Sequence, residues 1–442
     1  MCLFASMDLI AAIATPQGVG AISIVRVSGE GAWDLVSRFF SSRRIEGEPT
    51  PNLMYLGRFK GEDFDEQCMA VYFRAPRSYT GEDVVELQLH GGVTVTDQVL
   101  KTLLLAGARL AHPGEFSRRA FFNGKVSLSQ AEGILGVINA ESKSQLAAAR
   151  SLQQGSLHRR IQPLMDKLQD LIWLIEASLD YPEEMQEELQ DFAPRLDELD
   201  GALSALLATA DNGRLLRHGV SVAIIGSPNA GKSSLLNAIL REDRAIVTDV
   251  AGTTRDTITE SVSVDGVRLN LLDTAGIRAT DDLVESLGVK RALDAAERAD
   301  AVVYLLDADR GETPDADLLH RFGDKRVEIV YNKMDIAETP QGERAICAKT
   351  GEGVEPLLKS LASMCRTNVV GEGVLSEERH QQAVALSASH LASARVSWEG
   401  GMPLDCVAVD LRAAYSALGE VDGATATDRI LDGIFERFCI GK

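Results

Sequence analysis

The stretch that decides the fold is GVSVAIIGSPNAGKSSLLNAIL, residues 219–240. From Gly226 to Ser233 it matches the spacing G-x-x-x-x-G-K-[ST], with an apolar β-type run before the match and a helix-forming segment after it. Glycines here let successive backbone N–H groups surround a phosphate, and the N-terminus of the following helix adds a positive dipole. We therefore predict a nucleotide-binding loop in which Lys232 contacts the β- and γ-phosphates and Ser233 ligates Mg2+.

Three later segments contain residues that would complete a nucleotide-binding site. In LNLLDTAG, Asp273 follows an apolar run where a second-sphere Mg2+ carboxylate belongs, and the Gly276 amide can meet the γ-phosphate. In VEIVYNKMD, Asp335 can accept both N1–H and the 2-amino group of guanine, whereas adenine would leave this carboxylate unpaired. Polar mismatches of this kind reject a substrate by roughly 10⁴-fold. The backbone of CAK, residues 347–349, would complete the base pocket, so the four motifs in this order indicate a GTPase.

The position after DTAG bears on how GTP is hydrolysed. Ras-type enzymes place a water-orienting Gln there, but this chain has Ile277, whose side chain makes no hydrogen bond. Hydrolysis therefore needs another group to orient water and another positive charge. Glu285 is the candidate for water, although from the residues alone a solvated carboxylate at a helix start is the favoured interpretation. Arg255, Arg278 or a bound cation are the candidates for the charge.

Composition limits the class of protein. The 442 residues are enough for two to four domains with hydrophobic cores. A net charge of -20 argues against a whole-molecule attraction to nucleic acid or anionic lipid. Six scattered cysteines without a CxxC pair favour a reducing compartment, and we expect a cytoplasmic protein without a membrane span. The apolar amino terminus has no Lys or Arg before Asp8, so a secretory signal is disfavoured; Met7 remains an alternative start.

The pattern of strand-like and helix-like segments along the chain predicts its domain organisation. Residues 1–122 mix short β-rich runs with a helical segment and predict an α+β domain. Helical periodicity over 123–217 returns over 367–442, on either side of a strand-and-loop segment, 218–366. We predict an α/β P-loop (Ras-like) G domain inserted into an all-α helical domain, because a domain's termini often lie close together.

Local signals add three predictions. Ser129 and Glu132 have the spacing of a capping box at the start of a helix. Pro182 should end the long helix that precedes it. Asp265-Gly266 is a strong signal for a two-residue β-hairpin turn.

The chain closes with FCIGK, which places Cys439 close to the carboxyl end. A thiol on a fraying terminus would be exposed and oxidisable. Chance is one interpretation, and a prenylation box is a second, although Gly441 is not aliphatic and Lys442 is an unusual last residue for that signal. The third is that a reacting site needs the tail.

Several of these segments together resemble one family. GSPNAGKSSLLN, TDVAGTTRD and DTAGIR are similar to the G domain of the tRNA-modification GTPase MnmE (TrmE) family. The segments IVRVSG, SYTGEDVVELQLHGG, HPGEFSRRAFFNGKVSLSQAE and the terminal FCIGK resemble the same family. Phosphate-loop motifs are shared by many GTPases, whereas the amino-terminal block combined with this tail is specific to MnmE.

The resemblance implies roles for the nucleotide motifs. Glu285 would orient the attacking water, Mg2+ would be held by Ser233 and Thr254, and K+ by Asn229, Thr248, Val250 and Thr253. That K+ would stand where other systems place an arginine finger, a role worth roughly 10³ to 10⁵ in rate. The GTP contacts are predicted at Asn229, Ala230, Gly231, Lys232, Ser233, Ser234, Thr248, Asp249, Val250, Ala251, Gly252, Thr253, Thr254, Asp273, Thr274, Ala275, Gly276, Asn332, Lys333, Met334, Asp335, Cys347, Ala348 and Lys349.

The resemblance also implies a second site. The amino-terminal domain would be of the folate-binding type, and a 5-formyltetrahydrofolate-like ligand would contact Arg26, Glu86, Lys125 and Lys442. Cys439 would be a candidate reactive thiol, because a neighbouring lysine favours the nucleophilic thiolate. From the residues alone, Arg26 would be a surface charge at a strand end and Glu86 a carboxylate on a β face.

The implied function is modification of C5 of the wobble uridine of certain tRNAs, by addition of an aminomethyl or carboxymethylaminomethyl group. Family members are homodimers through their amino-terminal domains and act with the FAD-dependent flavoprotein MnmG in a hetero-oligomer. Because the chain is acidic, tRNA would bind mainly through MnmG. Two alternatives remain, an RNA-binding ribosome-assembly switch GTPase and a folate-dependent one-carbon transferase with an incidental G domain.

Overall fold

A computed structural model describes residues 8–241, 259–272, 293–365 and 373–442. Within these ranges the chain forms two compact units. The first contains the described residues up to 135, together with 161–169 and 412–442. The second contains the described residues of 136–160 and 170–411.

Both units contain strands as well as helices. The strands are β1 (Ile10–Ile13), β2 (Ile22–Ser28), β3 (Phe40–Ser41), β4 (Met54–Lys60), β5 (Asp65–Phe73), β6 (Val84–His90), β7 (Arg109–Leu110), β8 (Val220–Gly226), β9 (Thr259–Val264), β10 (Val267–Leu272), β11 (Ala301–Asp307), β12 (Arg326–Asn332) and β13 (Arg344–Ile346). The helices are α1 (Ala32–Ser37), α2 (Val93–Leu105), α3 (Glu115–Phe122), α4 (Leu128–Ile138), α5 (Lys143–Gln153), α6 (Ser156–Asp180), α7 (Phe192–Leu207), α8 (Ala210–His218), α9 (Lys232–Arg241), α10 (Ala316–Phe322), α11 (Val354–Ala362), α12 (Glu378–Glu399), α13 (Leu404–Gly419) and α14 (Asp428–Phe435).

A mixed sheet organises the first unit. Its strand order is β3-β4-β5-β6-β2-β1-β7, and its neighbouring strands are antiparallel except for the parallel pair β1 and β7. Alternate residues of β2, such as Val25 and Val27, face a core that also contains Leu35 of α1 and Val99 of α2. The period of two in the apolar residues therefore buries one sheet face beneath two helices.

The start of α4 differs from the predicted capping box. The helix begins at Leu128, and Ser127 is its cap, because the Gln130 N–H donates to Ser127 Oγ and the Ser127 N–H donates to Gln130 Oε1. Ser129 instead donates to Asp422, whose backbone oxygen also accepts from the Leu128 N–H. The prediction of a box from Ser129 to Glu132 was wrong, since a tertiary contact engages the Ser129 hydroxyl.

The sheet of the second unit positions the nucleotide motifs. Its strand order is β13-β12-β11-β8-β10-β9, and all neighbours are parallel except the antiparallel β9–β10 hairpin. Every residue of β11 is buried, as expected for a strand inside a parallel sheet. Asp265 and Gly266 form the hairpin turn with φ of 50° and 84°, which confirms the predicted turn.

Helices flank that sheet in the sequence. The helix α6 ends at Asp180, two residues before Pro182, as predicted. The helices α7 and α12 pack together, with the rings of Phe192 and Trp398 separated by 4.4 Å between centroids. No helix in the described ranges combines the length and apolar character needed to cross a membrane.

Candidate functional site

The phosphate-binding loop lies between β8 and α9. Lys232, the first residue of α9, folds back across the loop and donates from Nζ to the carbonyl oxygens of Gly226 (2.9 Å) and Ser227 (2.8 Å). Burial lowers the pKa of Lys232, and the nearby Glu312 carboxylate opposes that shift. The ammonium group is thus held at the carboxyl end of the central strand, beside the N-terminus of a helix, where a phosphate would bind.

Asn332 joins three of the sequence motifs. Its side chain is 3% exposed, and its Nδ2 donates to the Ala230 carbonyl oxygen at 2.7 Å. Its Oδ1 accepts from the Ala348 N–H at 2.9 Å. Gly231 has φ of 100°, and a Cβ there would lie 2.1 Å from Asn332 Nδ2, so only glycine fits. The structure therefore brings the phosphate loop, NKMD and CAK together at one edge of the sheet.

The base-recognition loop follows β12. Lys333 adopts φ of 70°, and its Nζ lies 2.6 Å from Oδ2 of the fully buried Asp307. The Met334 N–H donates to the Ile346 oxygen at 3.2 Å, and the Asp335 side chain is exposed. An exposed carboxylate on a loop tied down on both sides can receive the two donors of guanine.

The remaining nucleotide residues divide into two groups. Cys347 and Ala348 are buried, whereas the exposed residues Asn229, Ser233, Ser234 and Lys349 can meet a ligand. The other predicted positions lie outside the described residues, although β10 ends directly before them at Leu272; they are Thr248, Asp249, Val250, Ala251, Gly252, Thr253, Thr254, Asp273, Thr274, Ala275, Gly276 and Glu285, with Ile277, Arg255 and Arg278.

The exposed oxygen donors of the phosphate loop suit hard cations. The Ser233 hydroxyl stands in the first turn of α9, and Asn229 carries its amide on a backbone with φ of 68°. Oxygen ligands of this kind are what Mg2+ and K+ prefer. Among the described residues, no group of three or more His, Cys, Asp or Glu side chains could hold a metal ion.

A second cluster, which we term the tail site, lies in the first unit and consists of Arg26, Glu86, Tyr79, Phe116 and residues 439–442. The Arg26 guanidinium pairs with Glu86, with Nη2 2.7 Å from Oε1, and both side chains are largely buried. The rings of Tyr79 and Phe116 each lie 5.6 Å from Arg26 Cζ. Arg26 Nη1 donates to the Gly441 carbonyl oxygen at 3.2 Å, although the two residues are 415 positions apart.

The end of the chain is held in place at the tail site. Gly441 has φ of 96°, and a Cβ there would lie 2.3 Å from the Ile13 oxygen, which explains the glycine in FCIGK. Burial lowers the pKa of the adjacent Lys442, with a further contribution from Arg26, while Glu86 and Cys439 act in the opposite direction. The Cys439 thiol is exposed. Lys442, Arg26, Glu86 and Cys439 are therefore close enough to interact electrostatically.

Lys125 occupies a different place. It is exposed, and its Nζ donates to the Pro76 oxygen at 3.0 Å. Its stem packs beside Gly81, on the same loop that carries Tyr79. The Lys125 side chain therefore lies against the loop that carries Tyr79.

Comparison with known proteins identifies the family. Residues 9–125 match the family model "GTP-binding protein TrmE N-terminus", and residues 128–439 match "MnmE helical domain". The chain belongs to the MnmE family. Three relatives named tRNA modification GTPase MnmE come from Moorella thermoacetica, Geobacter sulfurreducens and Clostridioides difficile. They are 41%, 42% and 39% identical, and each alignment covers 98% of this chain and 99% of the relative.

Membership of the MnmE family confirms the resemblance seen in the sequence. It also confirms the multidomain fold, with a TrmE-type amino-terminal domain, a helical domain and a P-loop G domain. The chain is accordingly a GTPase of a tRNA-modification family.

Sequence reasoning overlooked several residues around the nucleotide site and the tail site. Tyr79 and Phe116 flank Arg26, and both stand in segments that carried the family resemblance, SYTGED and HPGEF. Asp307 and Glu312 hold the nucleotide loops, and the signal that could have revealed them was the position of Asp307 at the carboxyl end of a buried strand. Their partners are distant in sequence, so no motif spacing predicts these contacts.

Proposed function

We propose that this chain is a K+-activated GTPase that acts with the flavoprotein MnmG to modify C5 of the wobble uridine in certain tRNAs. The added group would be of the aminomethyl or carboxymethylaminomethyl type, with a tetrahydrofolate as the one-carbon source. The observation that carries the proposal is the tail site, because a GTPase that acts only as a nucleotide switch needs no second ligand-binding site. Arg26 pairs there with Glu86 and donates to Gly441, directly before the terminal Lys442.

In the nucleotide site the chain would bind GTP through its loops. Lys232 would exchange its carbonyl partners for phosphate oxygens, and Asp335 would accept the guanine donors. Ser233 and Thr254 would hold Mg2+, and Asn229, Thr248, Val250 and Thr253 would hold K+, which together supply positive charge to the phosphates. Glu285 would orient the attacking water, since Ile277 cannot.

In the tail site the chain would hold an anionic folate. Arg26 and Lys442 share Glu86 and keep N–H donors of their cationic groups, which suit carboxylate or polarised carbonyl groups of a ligand. Lys125 would add a further cation from the exposed loop. When bound, 5-formyltetrahydrofolate or a related folate would supply the one-carbon unit, and Cys439 is an exposed thiol in the same tail.

GTP hydrolysis would serve this chemistry indirectly. We place the chain in a homodimer formed through the amino-terminal domains, in which paired G domains open and close with each GTP cycle. The net charge of -20 favours tRNA binding largely through MnmG.

Mass spectrometry of wobble nucleosides tests this function. A strain lacking the gene should lose the C5 modification, the intact chain should restore it, and Lys232→Ala or Arg26→Ala should fail to restore it. Lys359→Ala, at an exposed ion pair of α11, is the matched control and should restore it. Fully modified wobble uridines in the deletion strain would refute the proposal, and recovery of ribosomal subunits without a flavoprotein in a pull-down would favour a ribosome-assembly GTPase.

A change of cation tests the K+ assignment separately. Because Asn229 and its partners would hold K+ in place of an arginine finger, replacing K+ by Na+ should slow GTP turnover markedly. Equal rates in the two salts would remove K+ from the mechanism.

A further inference from the structure

One short turn contacts both halves of the nucleotide site. It follows β11 and runs from Asp307 to Glu312 through a single 3-10 turn, Ala308–Arg310. In the sheet, β11 lies between β8, which leads into the phosphate loop, and β12, which leads into the base loop. Asp307 is paired in register with Asn332, and Leu305 with Gly226. The turn therefore lies between the phosphate loop and the base loop, which must bind the same nucleotide.

The first contact is an ion pair with the base loop. The Asp307 side chain is 0% exposed, and its Oδ2 lies 2.6 Å from Lys333 Nζ. Its Oδ1 accepts from the Asp309 N–H at 3.1 Å. A buried carboxylate is stable only when it is paired, and Lys333 has the left-handed backbone that L residues seldom adopt. The ion pair thus holds Lys333, and with it the loop that bears Asp335, in one conformation.

The second contact is a bridge to the phosphate loop. Glu312 Oε1 accepts from Ser227 Oγ at 2.5 Å, and Oε2 accepts from the Asp307 N–H at 2.8 Å. The same carboxylate acts electrostatically on Lys232. One side chain therefore ties the start of the phosphate loop to the residue that holds the base loop.

We propose that the turn Asp307–Glu312 determines how tightly and how selectively this chain binds guanine nucleotides, with Asp307 positioning the base loop and Glu312 positioning the phosphate loop. Both are positioning residues, since they act through Lys333 and Ser227. The inference rests on the proposed GTP site and deepens it by naming what aligns its two loops.

Substitutions of Asp307 and of Glu312 should differ in their effect on base selectivity. IDP lacks the 2-amino group of GDP, so the ratio of the two affinities reports whether Asp335 is correctly placed. Asp307→Asn keeps the shape but removes the charge that holds Lys333, so it should weaken GDP binding about tenfold and lower the preference for GDP over IDP. Glu312→Ala releases Ser227 of the phosphate loop and the Asp307 N–H but leaves the Asp307–Lys333 ion pair in place, so it should weaken GDP and IDP binding by a similar factor.

A rescue variant separates positioning from structural damage. In Glu312→Gln the amide oxygen can still accept from the Asp307 N–H, and the amide NH2 can donate to Ser227 Oγ once the hydroxyl reverses its role. Glu312→Gln should therefore recover most of the affinity that Glu312→Ala loses. Asp309→Asn is the matched control, since it makes the same charge change at an exposed side chain within the same turn.

Equilibrium titrations of the full-length chain with fluorescent GDP and IDP give the affinities, and melting curves of each variant show that it is folded. Unchanged GDP affinity and GDP-to-IDP ratio in Asp307→Asn would overturn the inference while the proposed function stands. An equal loss in Asp309→Asn would also overturn it. If the intact chain shows no preference for GDP over IDP, the proposed guanine site fails and the inference fails with it.

Discussion

The nucleotide site and the tail site are built in opposite ways. In the nucleotide site, the contacts join loops that follow successive parallel strands, and Lys232 is held by carbonyls five and six residues before it. In the tail site, Arg26 meets Gly441 across 415 positions of sequence. Parallel strands deliver their carboxyl ends to one edge, so strand order predicts which loops meet. No such rule predicts where a carboxyl terminus will lie.

The two sites pair their charges in similar ways. In the nucleotide site the buried Asp307 pairs with both Lys333 and Arg310, and Glu312 lies near Lys232. In the tail site Arg26 and Lys442 share Glu86. Each site therefore places two cationic side chains beside one carboxylate side chain.

The largest expected effect is on the rate of GTP hydrolysis at the nucleotide site. Lys232→Ala removes the ammonium group that we assign to the β- and γ-phosphates, and loss of one such donor lowers kcat by roughly 10² to 10³. Phosphate release under saturating GTP measures the change. Lys359→Ala, on α11, removes an exposed lysine of the same unit and should turn over normally. Near-normal hydrolysis in Lys232→Ala would mean that the loop binds GTP by another route.

At the tail site, Arg26→Ala should weaken binding of 5-formyltetrahydrofolate by up to about 10², because a charged hydrogen-bonding partner of the ligand is lost and the largely buried Glu86 loses its ion pair with Arg26. Isothermal titration measures the affinity. Arg58→Ala is the control, since Arg58 forms an exposed ion pair with Asp65 on the same sheet. If Arg26→Ala binds the folate as tightly as the intact chain, Arg26 does not contact this ligand and the proposed role of the tail site is refuted.

A smaller effect is expected from the backbone of the tail. Gly441→Ala places a Cβ 2.3 Å from the Ile13 oxygen at a left-handed φ, so the last residues must shift. We expect a loss of folate affinity of about tenfold, measured by the same titration. Gly433→Ala, on α14, adds the same methyl group where no atom lies within 4 Å and should bind normally. Equal affinities for Gly441→Ala and the intact chain would show that Lys442 needs no fixed backbone.

The smallest effect is a pH dependence. Burial and Arg26 lower the pKa of Lys442 from its ordinary value of 10.5, so the ammonium group loses its proton earlier than an exposed lysine as pH rises. An anionic ligand should therefore bind more weakly as pH rises through that lowered pKa. The folded chain binds fewer protons than the unfolded chain between the lowered and the ordinary pKa, so in that window Lys442 makes stability increase with pH.

Lys442→Arg sharpens this test, because a guanidinium stays charged in the same range. Folate titrations over alkaline pH should show a fall for the intact chain and a flatter profile for Lys442→Arg. Identical profiles would assign the pH dependence to another group.

Prediction from sequence worked where local chemistry and strand order agree. Asp265-Gly266 forms the turn that its residue types require, and the motifs at β8, β12 and β13 converge as parallel strands demand. It failed at Ser129, since two overlapping Ser-x-x-Glu/Gln patterns compete there and Asp422 selects between them. Tyr79 and Phe116 were overlooked around Arg26 because aromatic residues carry no spacing rule that points to a distant arginine.

The sequence by itself predicted the phosphate loop, the carboxylate that we assign to guanine and the family, because short motifs of fixed spacing encode backbone geometry directly. Only the tertiary structure decided that Arg26 pairs with Glu86 and donates to Gly441, and that Asp307 and Glu312 join the two nucleotide loops. The reason is physical. Contacts between residues distant in sequence depend on which buried surfaces pack together, and that packing is a property of the whole chain rather than of any segment.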